Sequence, residues 1–358
     1  MRLRGLVVLV CTGLAACGHE QPFQPPDETT DRPFLPGLPA RITYNPGADL
    51  RPAWLPDGSA FVYAWQQIGQ PDLDRCLGFV YASGGTRYRT VCNPSLTAID
   101  STDLFDAPSP SPDGRLLYIR GISPEHALSP SSAGVYLGPL SDPLTATKLL
   151  PLPYTVPGGQ SHSHISNAHW VSGTRVIYLG ERVDYIGVNV KDTVITGLEI
   201  VDLDLSGAVP SMSVIPGTTN ATSMTLTTGG DTLVYSLGDS RVMARALATG
   251  DVTVLHDFGA LGRVQDVTVR GNQLVAVVGN RPEGGLLWSV DLTSGVEAPL
   301  PSDRPMFFRR PAFAPAGEPV RLVAEGYALT ITQRPPPEGS IIDTVATTVG
   351  DLYLYEAP

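Results

Sequence analysis

The stretch "SHSHISNAHW", residues 161–170, holds three of the chain's six histidines, His162, His164 and His169. Neutral imidazole is a common ligand for zinc, manganese and related ions, so H-x-H-x4-H is a candidate metal site. If the backbone is extended there, His162 and His164 share a face, because side chains alternate along a strand. Carboxylates from neighbouring loops, Asp103, Asp106 or Asp266, could complete the set. Two other readings compete. The histidines could bind a polar ligand without metal, or they could belong to an ordinary polar loop. His169 precedes Trp170, so alternation turns these two side chains apart. Glu125 and His126, in the long connection "GISPEHALSPSSAG", are further ligand-binding candidates. Residues 181–195, "ERVDYIGVNVKDTVI", form a second long insertion of the kind that often carries binding.

Signatures of other chemistry are missing. The chain has no G-x-S-x-G nucleophile elbow and no D-x-[DN]-x-[DN]-G calcium loop. "VDLDLSG" puts Asp202 and Asp204 on one strand face, but Asp291 recurs at the like place in "SVDLTSG". That recurrence reads as the solvated face of an outer strand, and no catalytic residue is assigned. "NAT", residues 220–222, fits a glycosylation sequon and reads as incidental.

The elements that must position these residues repeat. "AWLPDGSAFVYA" and "PSPSPDGRLLYI" are the clearest copies, followed by weaker ones at 169–180, 225–237, 267–278 and 312–324. Each is a short strand, a tight turn and an apolar strand. Pro56 and Pro112 pre-set φ for a type I turn, and Gly58 and Gly114 take the left-handed position that closes it. Anchored at Trp54, Ser109, Trp170, Leu226, Val269 and Phe313, the copies are spaced by 55, 61, 56, 43 and 44 residues. Such periods predict an all-β propeller of six four-stranded blades. A second hairpin follows each copy except the last, where "DLYLYEAP" supplies one strand alone. Its partner is expected in "RITYN", residues 41–45, which would complete the last blade and close the ring.

The spacing, the "PDG" turns and this closure resemble TolB-like six-bladed β-propellers over residues 40–358. That resemblance implies the fold and leaves the ligand open. TolB has an additional N-terminal domain where this chain has a short tether, so the TolB role does not carry over. Some propeller lyases acting on acidic sugars hold a metal through histidine, which keeps the metal reading of 161–170 in play.

The chain opens "MRLRGLVVLVCTGLAACGHE". Arg2 and Arg4 precede an apolar run too short to span a bilayer core of about 30 Å. The following Leu14-Ala15-Ala16-Cys17 resembles the lipobox of bacterial lipoproteins. The resemblance implies a signal peptide over 1–16 and a lipidated Cys17 anchored in membrane lipid. Gly18, in place of an Asp that would favour inner-membrane retention, implies the outer membrane, facing the periplasm. Several acyl chains, at about 0.8 kcal/mol per buried CH2, would hold the chain firmly. Residues 17–39 read as the lipidated Cys and a Pro-rich tether.

Cys76 and Cys92 are equidistant from Gly84 in "SGGT", which places them opposite each other on paired strands. In an exported, oxidising compartment they are expected to form a disulfide. Loss of Arg2 and Arg4 with the signal peptide takes the net charge from −11 to −13. Such an acidic chain is a poor partner for nucleic acid.

The leading functional reading is therefore a non-catalytic binding or scaffold module without a cofactor, recognising a protein or glycan. The rival is a carbohydrate-active lyase or hydrolase using a divalent transition metal on His162, His164 and His169. A purely structural envelope protein is third.

Overall fold

A computed structural model describes residues 38–44, 47–66, 75–85, 87–92, 103–122, 133–185, 193–281, 284–302, 304–315, 319–333, 342–346 and 350–356. The lipobox, tether residues 17–37, Glu125 and His126 lie outside the described residues. Among the described residues, no helix is long and apolar enough to cross a membrane.

The strands form sequential antiparallel runs of four, here called units and numbered by the repeats. Unit 3 is Asp204-terminated at its third strand: it runs His164–Ser172, Arg175–Tyr185, Thr193–Asp204 and Ser211–Val214. Unit 4 runs Ser223–Leu226, Thr232–Ser236, Arg241–Ala246 and Val252–Asp257. Unit 1 starts with Asp49–Trp54 and unit 2 with Asp103–Pro110, and a bridge at Arg75↔Leu104 joins their sheets. Unit 5 starts with Val264–Arg270 and unit 6 with Met306–Phe313, joined by a bridge at Gly285↔Phe308. The outermost strand of unit 6 is Ala40–Arg41, from the other end of the chain, paired as Ala40↔Leu354 and Arg41↔Tyr353. Of the partner expected at residues 41–45, Arg41 lies in this strand and the Ile42 amide donates to Leu352 O at 2.9 Å, while the strand itself begins one residue earlier and ends at Arg41.

The turns form as their chemistry dictates. Gly58 has φ 69° and donates its N–H to Leu55 O at 2.9 Å. Asp57 Oδ1 accepts from the Ser59 amide and hydroxyl at 3.0 and 2.8 Å. Apolar second strands follow and bury Tyr63, Tyr118, Tyr178 and Tyr235 at the same repeat position. Gly78 leaves room for the Tyr63 ring, since a Cβ there would sit 2.7 Å from Tyr63 Cζ. The core is divided among apolar clusters that each lie between successive units. Val62 and Phe79 meet Phe105 and Tyr118, for example, while Val323 and Leu352 of unit 6 meet Trp54 and Phe61 of unit 1. Fully burying a Val, Leu, Ile or Phe contributes about 1.5–3 kcal/mol, so packing between units is the main cohesive force.

One feature of the first strands positions the centre of the molecule. In units 1, 2, 3 and 6 the register breaks between Leu50 and Ala53, Asp106 and Ser109, Ser166 and His169, and Arg309 and Ala312. At each break a non-glycine residue takes positive φ: Arg51 54°, Ala107 47°, Asn167 47° and Arg310 46°. These are β-bulges, which re-aim side chains at a cost of order 1–3 kcal/mol for each left-handed residue.

Cys76 and Cys92 form the expected disulfide, with Cα atoms 4.6 Å apart. They flank the paired third and fourth strands of unit 1, one register step beyond Leu77↔Val91.

Candidate functional site

The first strands of all the units surround a cavity of about 520 Å3. Its wall is drawn from residues 51–56, 107–112, 167–171, 223–230, 266–270 and 310–315. It includes every repeat anchor: Trp54, Ser109, Trp170, Leu226, Val269 and Phe313. It reaches from the bulged residues Arg51, Asn167 and Arg310 to the turns at Pro56, Pro112 and Gly229–Gly230. Neighbouring units are stitched along this wall. Trp54 Nε1 donates to Ala312 O at 2.8 Å, and Trp170 Nε1 to Ser109 O at 3.2 Å. Asn167 Nδ2 reaches Ser223 Oγ at 3.2 Å and Met224 O at 3.3 Å.

At the bulged end lies a buried network of charges. Arg51 Nε pairs with Asp106 Oδ1 at 3.2 Å, and Arg75 Nη1 with Asp106 Oδ2 at 2.9 Å. His164 lies between two carboxylates, with Nδ1 2.8 Å from Glu181 Oε2 and Nε2 3.2 Å from Asp106 Oδ2. Ser166 Oγ donates to Glu181 Oε1 at 2.5 Å. In unit 6, Arg310 Nη1 holds both oxygens of Glu325 at 3.0 and 2.9 Å, and Tyr327 Oη donates to Glu325 at 2.8 Å. The Arg51 amide also donates to Glu325. Asp266 Oδ2 accepts from Arg309 Nε at 3.2 Å and from the Arg310 amide at 3.1 Å.

Burial alone would raise the carboxylate pKa values here, and the neighbouring cations reverse it. Asp106 is held well below its ordinary value by Arg51, Arg75 and His164, against burial. Glu181 is brought from 4.5 to about 2 because Arg51, His164 and Ser166 outweigh its burial. Glu325 is lowered chiefly by Arg310, with help from the Arg51 amide and Tyr327, again against burial. All three carboxylates are therefore ionised partners of guanidinium groups, not proton acceptors poised near neutral pH.

The three histidines of 161–170 do not form one ligand set. His162 is 0 % exposed, its ring nitrogens 3.1 Å from Tyr154 Oη and 3.0 Å from Glu199 Oε1. Burial lowers its pKa, opposed by Glu199. Gly180 passes directly against its ring, where a Cβ would collide. His164 belongs to the charged network. His169 borders the cavity, and its loss of hydration takes its pKa from 6.5 to about 4 against a hydrogen bond with the Met224 backbone. The expected shared face of His162 and His164 fails because the chain changes partners at Ser163. His162 ends a two-residue strand paired with Tyr154–Thr155, and His164 begins the first strand of unit 3. Among the described residues, no group of three or more His, Cys, Asp or Glu is arranged to hold a metal ion. Of the proposed extra ligands, Asp106 and Asp266 are both engaged by arginines. The cavity also lies along the later part of the first strands, away from the link carrying His162.

Asp202 and Asp204 behave as the solvated outer face expected of them. Arg175 clasps Asp202 at 2.9 and 2.6 Å, and Asp204 Oδ1 accepts the Ser206 amide at 2.8 Å.

The residues missed in the sequence are Arg51, Arg75, Glu181, Arg310 and Glu325. A signal was present: Arg51-Pro52 and Arg310-Pro311 stand three residues before their anchors, Trp54 and Phe313. A charged residue at a fixed place in the innermost strand of a repeat is unusual enough to mark a buried network.

The chain is thus an all-β protein of propeller-like, four-stranded sheets with a polar, charge-paired centre. No family model matches it, and no curated protein does. Among solved structures it is similar to an oligogalacturonate lyase in complex with manganese, at 12% identity and TM-score 0.48, covering 88% of this chain and 79% of that one. It is also similar to TolB from Acinetobacter baumannii, at 14% identity and TM-score 0.43, over 84% and 67% of the respective chains. A third is the β-propeller domain of Myceliophteria thermophila Cps50 (Swd1), at 11% identity and TM-score 0.46, covering 89% of this chain and all of that domain.

Proposed function

We propose that this chain is a lipid-anchored, six-bladed β-propeller. It acts as a non-catalytic binding module, taking a protein or glycan partner at the turn-side mouth of its central channel. The observation that carries this reading is the cavity walled by the first strand of every unit, including all six repeat anchors. A ring closed by Ala40–Arg41 accounts for that arrangement. The same closure accounts for the contacts between units 6 and 1, where Asp49 N donates to Gly350 O at 2.8 Å. The charges beneath the cavity favour binding over catalysis, because they are paired with one another. The lipobox-like Leu14–Cys17 supports an envelope location, with residues 17–39 lifting the folded part off the outer membrane.

A photo-crosslinking amino acid at Thr228, exposed on the mouth, should capture a partner in cells, whereas one at Ser213 on an outer strand should not. Capture from Ser213 alone would put the binding surface on the wrong side of the molecule. Cys17→Ser should release the protein from membranes, and persistent attachment would contradict the anchor.

A further inference from the structure

The tether enters the folded part on the side where the cavity has its turns. Arg321 opens the second strand of unit 6, just after the turn that follows Phe313, and pairs with Glu356. Glu356 therefore stands on the turn side, and Asp351, paired with Gly326, toward the bulged side. Ala40 pairs with Leu354 and Arg41 with Tyr353, so the chain traced back from Arg41 to Ala40 heads toward the turns. It joins unit 6 from the face carrying the cavity's Pro56, Pro112 and Gly229–Gly230.

The distance to the mouth is short. Strands about 4.8 Å apart set the outermost strand of a four-stranded unit about 14 Å from the innermost. A Pro-rich chain covers about 3.1 Å per residue, so about five residues cross the blade. The rest of residues 17–39 can lie over the mouth.

The tether also has the composition of a docking segment. It holds two P-x-x-P motifs, "PFQP" at 22–25 and "PFLP" at 33–36, around an acidic run with Asp27, Glu28 and Asp31. Such motifs favour the polyproline II helix, which needs no internal hydrogen bonds, has little entropy left to lose, and binds grooves lined by aromatic rings. The cavity wall carries Trp54, Trp170 and Phe313 beside Ser109, Thr228 and His169, a mixed surface that suits a peptide of mixed polarity. Arg270 ends its strand at the turn side of this wall, half-buried, with Nη1 3.4 Å from Ala314 O of unit 6. It sets a cation where the acidic run arrives. Covalent linkage supplies an effective concentration of order mM, so even a weak contact is populated.

We infer that the tether of this chain docks in the turn-side mouth, with "PFQP" against the wall holding Trp54 and Trp170 and the acidic run beside Arg270. This rests on the reading of the mouth as the binding surface and gives it a resident occupant. An outside partner must displace the tether, and its release lets the folded part stand further from the lipid.

The test places a spin label on Thr29→Cys in residues 17–358 carrying Cys17→Ser, where Cys76 and Cys92 are bridged and take no label. The four tryptophan indole N–H signals are followed by 15N NMR. Trp54 and Trp170 line the cavity. Trp65, paired with Asp49 beyond the bulge of unit 1, and Trp288, in the third strand of unit 5, do not. The label should broaden Trp54 and Trp170 roughly threefold more than Trp65 and Trp288. Asp27→Lys, Glu28→Lys and Asp31→Lys together should remove roughly half of that broadening or more, and adding Arg270→Glu should restore it. The three lysines precede the first strand, so their arm decides even if Arg270→Glu does not fold.

Equal broadening of all four tryptophans, or none, would overturn the docking while leaving the mouth to an outside partner, which crosslinking from Thr228 reports independently. Broadening indifferent to the three lysines would overturn the pairing with Arg270. A spin-labelled chain without 15N is also mixed with a 15N chain without spin label. Broadening of the same strength in that mixture would mean that a second copy supplies the tether, and would refute docking within one chain.

Discussion

Replacing Glu181 by Gln tests the charged network most directly. Glu181 accepts from His164 Nδ1 at 2.8 Å and from Ser166 Oγ at 2.5 Å, with Arg51 Nη1 at 3.7 Å. These groups take its pKa from 4.5 to about 2. At about 1.36 kcal/mol per pKa unit, the shift corresponds to about 3 kcal/mol of stability at neutral pH. That agrees in size with the roughly 3–5 kcal/mol lost when one member of a buried ion pair is removed. The sign follows from linkage. The folded-state pKa is depressed, so between pH 4.5 and about 2 the unfolded chain binds more protons. The contribution is therefore complete above the unfolded value and lost as pH falls toward the folded one. Glu181→Gln should lower stability by about 3 kcal/mol at pH 7, and its deficit should shrink on acidification through this window. Urea unfolding in a Cys17→Ser background, without added salt, provides the assay. An unchanged urea midpoint at pH 7 would refute the reasoning. A deficit of the same size at pH 7 and pH 2.5 would refute it too, because steric disturbance alone has no such pH dependence.

Other expectations follow from single contacts. His169 should stay neutral until the pH approaches 4, so its ring signals should titrate well below those of an exposed histidine. Since its folded pKa is depressed from 6.5, the stability it contributes is lost between pH 6.5 and 4, and His169→Gln should flatten the stability curve there. Gly180→Ala should cost about 1–3 kcal/mol, because its methyl group would enter the space of the buried His162 ring. The same change at Gly271, where no atom lies within 4 Å of the added Cβ, should cost only its left-handed backbone penalty of about 1–2 kcal/mol. Comparing the two thermal midpoints separates crowding from backbone strain. Cys76 and Cys92 should resist alkylation until reduced, and removal of their bridge, with sequence separation 16, should cost about 3 kcal/mol by unfolding measurements.

The repeat was legible because turn chemistry and strand alternation are local. Pro56-Asp57-Gly58 specifies its turn through φ preferences within the tripeptide, and "FVYA" and "LLYI" declare buried second strands through their own composition. The cysteine pairing was legible for the same reason, since two strands joined by a short loop have their register set by that loop. The histidine cluster was misleading because counting residues assumes that the chain keeps one direction and one partner. At Ser163 it changes partners, and three nearby histidines enter three separate environments.

The charged centre shows the opposite case. Arg51 and Glu325 are 274 residues apart, and Arg51 and Asp106 belong to different units. No local pattern brings them together. What the sequence by itself determined was the period, the turns and the apolar strands, because each is governed by interactions over a few residues. What only the tertiary structure decided was which side chains the bulges at Arg51 and Arg310 turn toward the centre, and which charges they meet there. Those meetings depend on the joint position of several sheets, where burial makes an unpaired charge costly and so selects one arrangement of partners.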